Sequence, residues 1–223
     1  MRILHIATAF PRFPGDLVSH WLVELLQQQR RAGHAVEVLC PAYRGGGAQE
    51  YDGIPVHRFR YFPAPWEDLT HDEATPDRVR RAWRYKLIAA CYIVCGILAS
   101  WRLGRRERYD VIHVHWPMPH ALFGAAVRAA GEGGAPLVTL WYGVELHWVE
   151  GSLRWLRWLV RWALRTSDQV VAISSYTAGA IRRLADVPVC VIPYTVSLAK
   201  DGSAIAPGAR TGQRGAGPRI LFV

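Results

Sequence analysis

Residues 110–124 read DVIHVHWPMPHALFG, and the fold can be worked out from this stretch. Apolar residues alternate with His113 and His115 over the first six positions, which predicts a strand with both histidines on one side. The chain then turns at Pro117 and Pro119 and continues as an apolar, alanine-rich segment with the composition of a helix. A strand that leads into a helix in this way is typical of a parallel sheet.

The same strand-then-helix pattern repeats along the chain. The predicted strands are RILHIATAF (2–10), AVEVLCP (35–41), DGIPVHRFRY (52–61), DVIHVH (110–115), PLVTLWY (136–142), QVVAIS (169–174) and VCVIP (189–193), of which the third is antiparallel or lies at an edge. One predicted helix begins near Val18, and a second runs from about Pro76 to Glu107. Three more cover 120–130, 152–166 and 175–185. We therefore predict an α/β fold with a doubly wound, mostly parallel Rossmann-like sheet and helices on both faces.

The composition changes near the end of the chain. Residues 1–196 form the predicted domain, and residues 197–218 are rich in Gly, Ala and Pro, as linkers are. The last five residues, RILFV (219–223), resemble the opening RILHI. We expect them to be the first strand of a second domain that this sequence does not continue.

The chain has 223 residues and a formal net charge of +9, and its only lysines are Lys86 and Lys200. Its hydrophobic content of 51% excludes the disordered class. The positive charge favours an anionic partner or reflects an arginine-rich codon usage. Nothing resembles a helix-turn-helix, an RRM or a zinc finger, and the arginines are scattered, so we expect no nucleic-acid binding.

The sequence also bears on compartment and membrane. No signal peptide is recognisable at the N-terminus, and we expect Cys40, Cys91, Cys95 and Cys190 to be buried free thiols in a reducing cytosol. The longest apolar run, Leu87–Trp101, has about 15 residues, fewer than the ~20 of a spanning helix. It is predicted to be a buried or interfacial helix.

Ligands of open parallel sheets bind beyond the carboxyl ends of the strands. The segments in that position are FPRFPGD (10–16), HWPMPH (115–120), YGVELH (142–147), SSYT (174–177) and PYTV (193–196). Neither a dinucleotide fingerprint nor a P-loop is present among them. His115 ends its strand in this region, so we expect it on the ligand side.

These segments resemble family 4 glycosyltransferases of the GT-B fold. The matching blocks, in the family's order, are residues 11–41, DVIHVHWPMP, PLVTLWYGVELH, SDQVVAISSYTAGAIRRL and VPVCVIPYTV. The family has two Rossmann-like domains, the first for the acceptor and the second for the nucleotide-sugar donor. The resemblance implies retaining transfer of a sugar from a nucleotide-sugar to a glycan or lipid-linked acceptor, with no metal or other cofactor. It also implies that this chain is inactive without the donor domain.

The resemblance assigns His115 to the family's active-site histidine, whose neutral imidazole would hydrogen-bond a sugar hydroxyl or stabilise charge in the transition state. Trp116, next to it, is a candidate substrate-binding residue. His113 lies deeper in the strand and is predicted to be a hydrogen-bonded packing residue. Ser174 is a further substrate-binding candidate, although Ser174 or Ser175 most simply caps its helix.

The remaining candidates are loop residues with substitutions relative to the family. Gly15 matches the loop that approaches the donor diphosphate, but Asp16 stands where many members have a second glycine. Asp16 would repel a diphosphate unless it turns away or caps the next helix. Tyr142 replaces the common histidine before Gly143, and Glu145 takes the place of the usual acid. Glu145 either orients an acceptor hydroxyl or is a surface carboxylate that starts a loop.

The predicted helix 152–166 carries an unusual set of arginines and tryptophans. Its arginines fall within an arc of roughly 80° and have tryptophans at their flanks: Arg154, Arg157, Arg161 and Arg165, with Trp155, Trp158 and Trp162. One interpretation is a core helix with a solvated face, and the other is an interfacial helix on an anionic membrane. The alternative function is therefore a non-catalytic, arginine-rich module on such a membrane, and the expected location is the cytoplasm or the inner membrane face.

Overall fold

The computed structural model describes residues 1–70, 78–79, 82–151 and 153–193. Its strands are β1 (Arg2–Ile6), β2 (Ala35–Pro41), β3 (Glu50–Tyr51), β4 (Ile54–Phe59), β5 (Val111–His115), β6 (Leu137–Trp141), β7 (Gln169–Ala172) and β8 (Val189–Val191). Its α-helices are α1 (His20–Arg31), α2 (Trp83–Arg106), α3 (Pro117–Ala130), α4 (Val144–Glu150), α5 (Arg157–Thr166) and α6 (Ser175–Leu184). Two short 3-10 helices cover Ala64–Trp66 and Arg154–Leu156.

The strands form one sheet in the order β3-β4-β2-β1-β5-β6-β7-β8. Every neighbouring pair is parallel except β3 and β4. The chain winds outward from β1 in one direction and from β5 in the other, so the topological switch point lies between these two strands. The predicted α/β fold with a doubly wound, mostly parallel sheet is confirmed.

The strand register divides the core between two faces of the sheet. Leu4, Ile112 and Leu137 are in register across β1, β5 and β6, and they share one face with the residues that pack against α2 and α3. Farther along this face, α5 and α6 pack on β6 and β7. On the opposite face, α1 covers β1 and β2 with Leu22, Val23 and Leu26. The sheet thus has helices on both faces.

Two glycines allow α2 and α3 to approach each other closely. A Cβ added at Gly104 would overlap the carbonyl oxygen of Val127, and one added at Gly96 would overlap the ring of Phe123. Helix α2 is, among the described residues, the one helix long and apolar enough to cross a membrane by length and composition. Its Ile88 and Tyr92 nevertheless lie in the core against the sheet. It is therefore packed as a helix of the domain.

The third predicted strand differs from the structure. Ile54–Phe59 pairs in parallel with β2, while Glu50–Tyr51 forms the short antiparallel edge strand. The cause is a two-residue hairpin turn at Asp52 and Gly53, which both have positive φ, 50° and 73°. An Asp-Gly pair favours this turn, so the strand begins after it.

Two other sequence expectations are also changed, and three are not tested. The single helix predicted for 152–166 is wrong, because Arg154–Leu156 is a 3-10 turn and the α-helix starts at Arg157. The cysteines are free, but Cys190 is exposed and only Cys40 is buried. The linker at 197–218, the strand at 219–223 and the start of the long helix near Pro76 lie outside the described residues.

Candidate functional site

The candidate site lies at the carboxyl ends of β5 and β6, beside the topological switch point. His115 is the last residue of β5, and Trp116 follows it directly. Tyr142 comes directly after β6, and Glu145 lies in the first turn of α4. Trp21 reaches the same place from α1 and contacts His115, Trp116 and Tyr142 through its ring. The structure therefore brings together four of the residues selected from the sequence.

His115 is expected on the ligand side of the sheet, and in the structure it is fully buried. Its Nε2 lies 3.1 Å from Nδ1 of His5, and its Nδ1 lies 2.8 Å from the hydroxyl of Tyr142. The ring of Trp21 packs edge-on against it, with centroids 5.6 Å apart. Tyr142 and Trp21 separate the imidazole from solvent. Its catalytic role stays a prediction.

His5, His113 and His115 form a compact cluster on one face of the sheet. One ring nitrogen from each lies within 4.8 Å of the others, a spacing in which three imidazoles can hold a metal ion. Burial lowers the pKa of His113 to about 4 and moves the pKa of His5 and His115 well below the usual value. The three rings are thus neutral at physiological pH.

His113 differs from its prediction as a hydrogen-bonded residue. Its ring stacks on His115, with centroids 4.4 Å apart, as expected for a packing residue. Its Nε2, however, is buried and has no hydrogen-bond partner among the described residues. His113 is thus confirmed as a packing residue, but its Nε2 does not make the hydrogen bond that was expected.

Aromatic rings line the edge of the site. The ring of Trp116 stacks on that of Tyr142, with centroids 4.3 Å apart and planes 20° from parallel. Trp116 has a left-handed backbone with φ of 50°, which is costly for a bulky residue and is found most often at functional sites. Both side chains are half-buried. A flat aromatic surface of this kind suits the apolar face of a sugar ring or a base.

Glu145 is fully buried, so its interpretation as a surface carboxylate is wrong. Its Oε1 accepts a hydrogen bond of 3.1 Å from the backbone N–H of Tyr142. Its Oε2 is buried and has no partner among the described residues. Burial, only partly offset by backbone hydrogen bonds, raises the pKa of this carboxyl to about 7. The group can therefore be protonated and donate at neutral pH.

In the first loop, the carboxylate of Asp16 is paired with Arg12. Its carboxylate accepts hydrogen bonds from the backbone and the guanidinium of Arg12, with Nε at 2.6 Å, and from the backbone of Val18. The Arg12 guanidinium lowers the pKa of Asp16 to about 2. Gly15 has a φ of 85°, and an added Cβ would meet no atom within 4 Å. The charge that would repel a diphosphate is thus paired internally, and the phosphate role of Gly15 stays a prediction.

Two further candidates have clear structural roles. Ser174 caps α6, because its Oγ accepts the N–H of Thr177 at 3.1 Å, as one of the two sequence alternatives stated. Gly143 has a φ of 97° before α4, a conformation that favours glycine. Neither observation tests a contact with substrate.

The arginines and tryptophans of 154–165 form a mixed surface, which we call the Trp/Arg surface. Trp155 and Trp158 are 70% and 62% exposed, and Arg154, Arg161 and Arg165 are exposed as well. Trp162 and Arg157 are half-buried, and Arg157 donates to the carbonyl of Val149. The exposed tryptophans are not accounted for by core packing.

Sequence reasoning missed His5, Trp21 and Gln29 as parts of the site. His5 pairs in register with His113, and its Nε2 lies 2.8 Å from Oε1 of Gln29. The signal available was a histidine inside the apolar first predicted strand. Recognising it requires knowing that β1 and β5 are neighbours, which local sequence does not reveal.

Comparison with known proteins identifies the family. The family model described as glycosyl transferase 4-like domain matches residues 19–195. No curated protein matches the chain. Among solved structures, sucrose-phosphate synthase from Thermosynechococcus elongatus is similar with a TM-score of 0.58 and 12% identity, over 88% of this chain and 91% of that one.

HepE from Anabaena, in a complex with UDP and glucose, is also similar, with a TM-score of 0.51 and 17% identity. The similarity covers 88% of this chain and 45% of HepE, so this chain spans less than half of HepE. At these identities the similarity shows the fold alone, and that fold agrees with the resemblance drawn from the sequence blocks. Because the family model covers most of the chain, the protein belongs to the glycosyl transferase 4-like domain family.

Proposed function

We propose that this domain takes part in glycosyl transfer, moving a sugar from a nucleotide-sugar to a glycan or lipid-linked acceptor with retention of configuration. The observation that carries the proposal is the convergence of His115, Trp116, Tyr142 and Glu145 at the carboxyl edge beside the switch point. In an open parallel sheet this is where ligands bind. Membership in the family supports sugar transfer as the reaction.

The donor is proposed to be a nucleotide-sugar. The HepE structure contains UDP and glucose, which supports this class of donor. Because this chain spans 45% of HepE, we propose that it supplies the acceptor side and needs a donor-binding domain for turnover. Gly15 would then lie where the donor diphosphate approaches.

The side chains of the site fit the demands of such a transfer. The Trp116–Tyr142 stack offers a face for a sugar ring, and the neutral His115 acts behind it. Glu145 is fully buried and accepts the backbone N–H of Tyr142, so its role in this proposal is to position Tyr142 on the acceptor side. These groups bind and orient the sugar and the acceptor. In the transfer, the bond between the anomeric carbon and the phosphate oxygen breaks, the acceptor oxygen bonds to that carbon, and the nucleoside diphosphate leaves.

The test is a transfer assay with the protein encoded by the intact gene, using UDP-, GDP- and ADP-linked labelled sugars and lipid extract from the producing cells. We expect label to enter a glycan or lipid product with one class of donor, and no transfer by residues 1–223 alone. Absence of transfer from every donor by the gene product would contradict the proposal. Transfer by residues 1–223 alone would contradict the need for a donor-binding domain.

A second candidate function, attachment to an anionic membrane at the inner face of the cell membrane, is favoured by the exposed face of α2. Against the described part of the chain, this face exposes large apolar residues, each by 45% or more: Trp83, Leu87, Val94, Leu98 and Trp101. The 24 residues of the helix include no Asp or Glu. Basic residues lie near both of its ends: Arg84, Lys86, Arg102, Arg105 and Arg106. Tryptophans at both ends and flanking cations are typical of a helix that lies in the membrane interface.

The Trp/Arg surface can join the same interface, because α2 and α5 both pack against α3. Anionic vesicles are expected to sediment the protein, and salt is expected to weaken binding. Replacing Arg154, Arg157, Arg161 and Arg165 by Gln should remove the preference for anionic lipid. Replacing Leu87, Val94 and Leu98 by Ser should lower binding at every salt concentration. Unchanged partitioning of both variants would exclude these surfaces as the membrane contact.

A further inference from the structure

Four side chains are hydrogen-bonded in a row from α1 to the edge of the site. Oε1 of Gln29 lies 2.8 Å from Nε2 of His5, and Nδ1 of His5 lies 3.1 Å from Nε2 of His115. Nδ1 of His115 lies 2.8 Å from the hydroxyl of Tyr142. Both nitrogens of each imidazole are therefore used within this row, and the half-buried Tyr142 is the end that lies beside Trp116.

Nδ1 of His5 and Nε2 of His115 face each other at 3.1 Å, so they cannot both carry a proton, and one of them must accept. Burial favours the neutral form of both imidazoles, because it shifts their pKa well below the usual value. A neutral imidazole carries one N–H and one acceptor nitrogen, so the direction of one hydrogen bond fixes the next. The carbonyl oxygen of Gln29 accepts from His5 Nε2–H, which makes His5 Nδ1 an acceptor. His115 must then donate through Nε2–H, and its Nδ1 accepts the proton of the Tyr142 hydroxyl.

We infer that the Tyr142 hydroxyl, with its proton held by His115, is the group that this site presents to a ligand, and that it accepts a hydrogen bond from a ligand hydroxyl. The oxygen can offer a lone pair but no proton, so a phosphate or carboxylate oxygen placed against it would be repelled. A sugar hydroxyl is a donor and fits. That the ligand is a carbohydrate rests on the proposed function.

This arrangement gives His115 a role compatible with its burial. A fully buried imidazole does not touch a substrate, but it can fix the rotation of the Tyr142 O–H. His115 is then a positioning residue, and His5 with Gln29 holds its tautomer. The stacked ring of Trp116 fixes the plane of the Tyr142 ring. The four-residue row thus determines that the Tyr142 hydroxyl accepts a hydrogen bond from a ligand and does not donate one.

The same structure offers an internal control with the opposite tautomer. Nδ1 of His120 lies 2.7 Å from the carbonyl oxygen of Trp116, and its Nε2 lies 2.7 Å from the hydroxyl of Tyr92. A carbonyl only accepts, so His120 carries its proton on Nδ1. Burial lowers the pKa of His120 to about 4, so this ring is neutral as well.

The test is nitrogen-15 NMR of the ring nitrogens in the labelled 223-residue chain at neutral pH. Protonated and unprotonated ring nitrogens differ widely in chemical shift, so each tautomer is read directly. We expect the proton on Nε2 in His5 and His115 and on Nδ1 in His120. In Tyr142→Phe, Nδ1 of His115 should lose its donor and shift, while His120 stays unchanged.

A proton on Nδ1 of His115 would overturn the inference, because the Tyr142 oxygen would then accept from His115. The inference would also be overturned if neither Nδ1 of His5 nor Nε2 of His115 were protonated and a chelator abolished this spectrum. That result would indicate a bound metal ion. A His115 shift unchanged in Tyr142→Phe would remove Tyr142 from the row. None of these outcomes depends on whether the protein transfers sugars.

The ligand class is tested in the same spectra with glucose and sulfate as probes, since sulfate has no O–H group at neutral pH. Glucose at high concentration is expected to shift Nδ1 of His115 through Tyr142, and this response should vanish in Tyr142→Phe. Sulfate is expected to leave the resonance in place. A larger response to sulfate, or no response to glucose, would overturn the assignment of a hydroxyl ligand, whereas the tautomers are tested by the ring-nitrogen shifts without a ligand.

Discussion

At the scale of single residues, Glu145 shows how burial changes the chemistry of a carboxyl group. Its side chain is fully buried, and its pKa is raised from the ordinary 4.5 to about 7. A carboxyl whose pKa is higher in the folded than in the unfolded chain favours folding when protonated. The contribution is fully present below about pH 4.5 and is lost as the pH rises to about 7.

We therefore expect Glu145→Gln to be more stable than the wild type above pH 7, by roughly 3 kcal/mol, and equally stable at pH 4. The glutamine keeps an oxygen for the N–H of Tyr142 and removes the buried charge. Urea unfolding of both proteins between pH 4 and 8 measures the difference. Glu50→Gln, at an exposed position of β3, is the control and should follow the wild type. If the free energies of unfolding of Glu145→Gln and the wild type changed with pH in parallel, the raised pKa of Glu145 would be refuted.

The sequence allowed part of the site to be predicted at this scale. His115, Trp116, Tyr142 and Glu145 were selected because they follow predicted strands, and they do meet at one edge. The burial of His115 was not predictable, because it depends on Trp21 from α1 and Tyr142 from another strand. Contacts between distant elements leave no mark on local hydrophobic periodicity.

At the scale of secondary-structure elements, the contact of α2 with α3 depends on glycine. A Cβ on Gly104 would overlap the carbonyl oxygen of Val127 and lie 3.1 Å from Cβ of Ala130. Alanine is the better helix former by about 1 kcal/mol, yet forcing an atom into a packed contact costs about 1–3 kcal/mol. The packing cost should exceed the gain in helix propensity here, because the overlapping atom is the backbone oxygen of Val127, which cannot rotate away as a side chain can.

Gly104→Ala is expected to lower the free energy of unfolding by about 1–2 kcal/mol, as measured by urea denaturation. The matched control is Gly133→Ala, since an added Cβ there meets no atom within 4 Å. If Gly104→Ala were as stable as the control, the close approach of the two helices would be wrong.

Elements with a strong hydrophobic period were predicted well, and short ones were not. The alternation in 110–115 and the helical period after Val18 correspond to β5 and α1. The hairpin at Asp52–Gly53 was hidden inside a longer alternating run, although the Asp-Gly pair itself favours such a turn. The 3-10 turn at Arg154–Leu156 interrupts a stretch whose spacing alone favours a helix.

At the scale of the whole molecule, the repeated strand-then-helix pattern was sufficient for the fold class. Right-handed crossovers between parallel strands leave few arrangements open, and the observed order from β4 through β8 is one of them. The pattern does not specify which strands flank the switch point. That order brings His5 beside His113 and creates the histidine cluster.

The central claim is that the carboxyl edge around His115 is the site of sugar transfer, and the comparison of two histidines on β5 tests it most directly. In the protein encoded by the intact gene, kcat/KM per folded molecule should fall roughly 10²-fold or more in His115→Ala, since Tyr142 is no longer oriented. His113→Ala should lower stability with a smaller effect on kcat/KM, because His113 packs on His115 without contacting Tyr142 through a hydrogen bond. Because His115 is fully buried, its variant should also lose stability, and circular dichroism gives the folded fraction for both. Near-normal kcat/KM per folded His115→Ala molecule would contradict the claim.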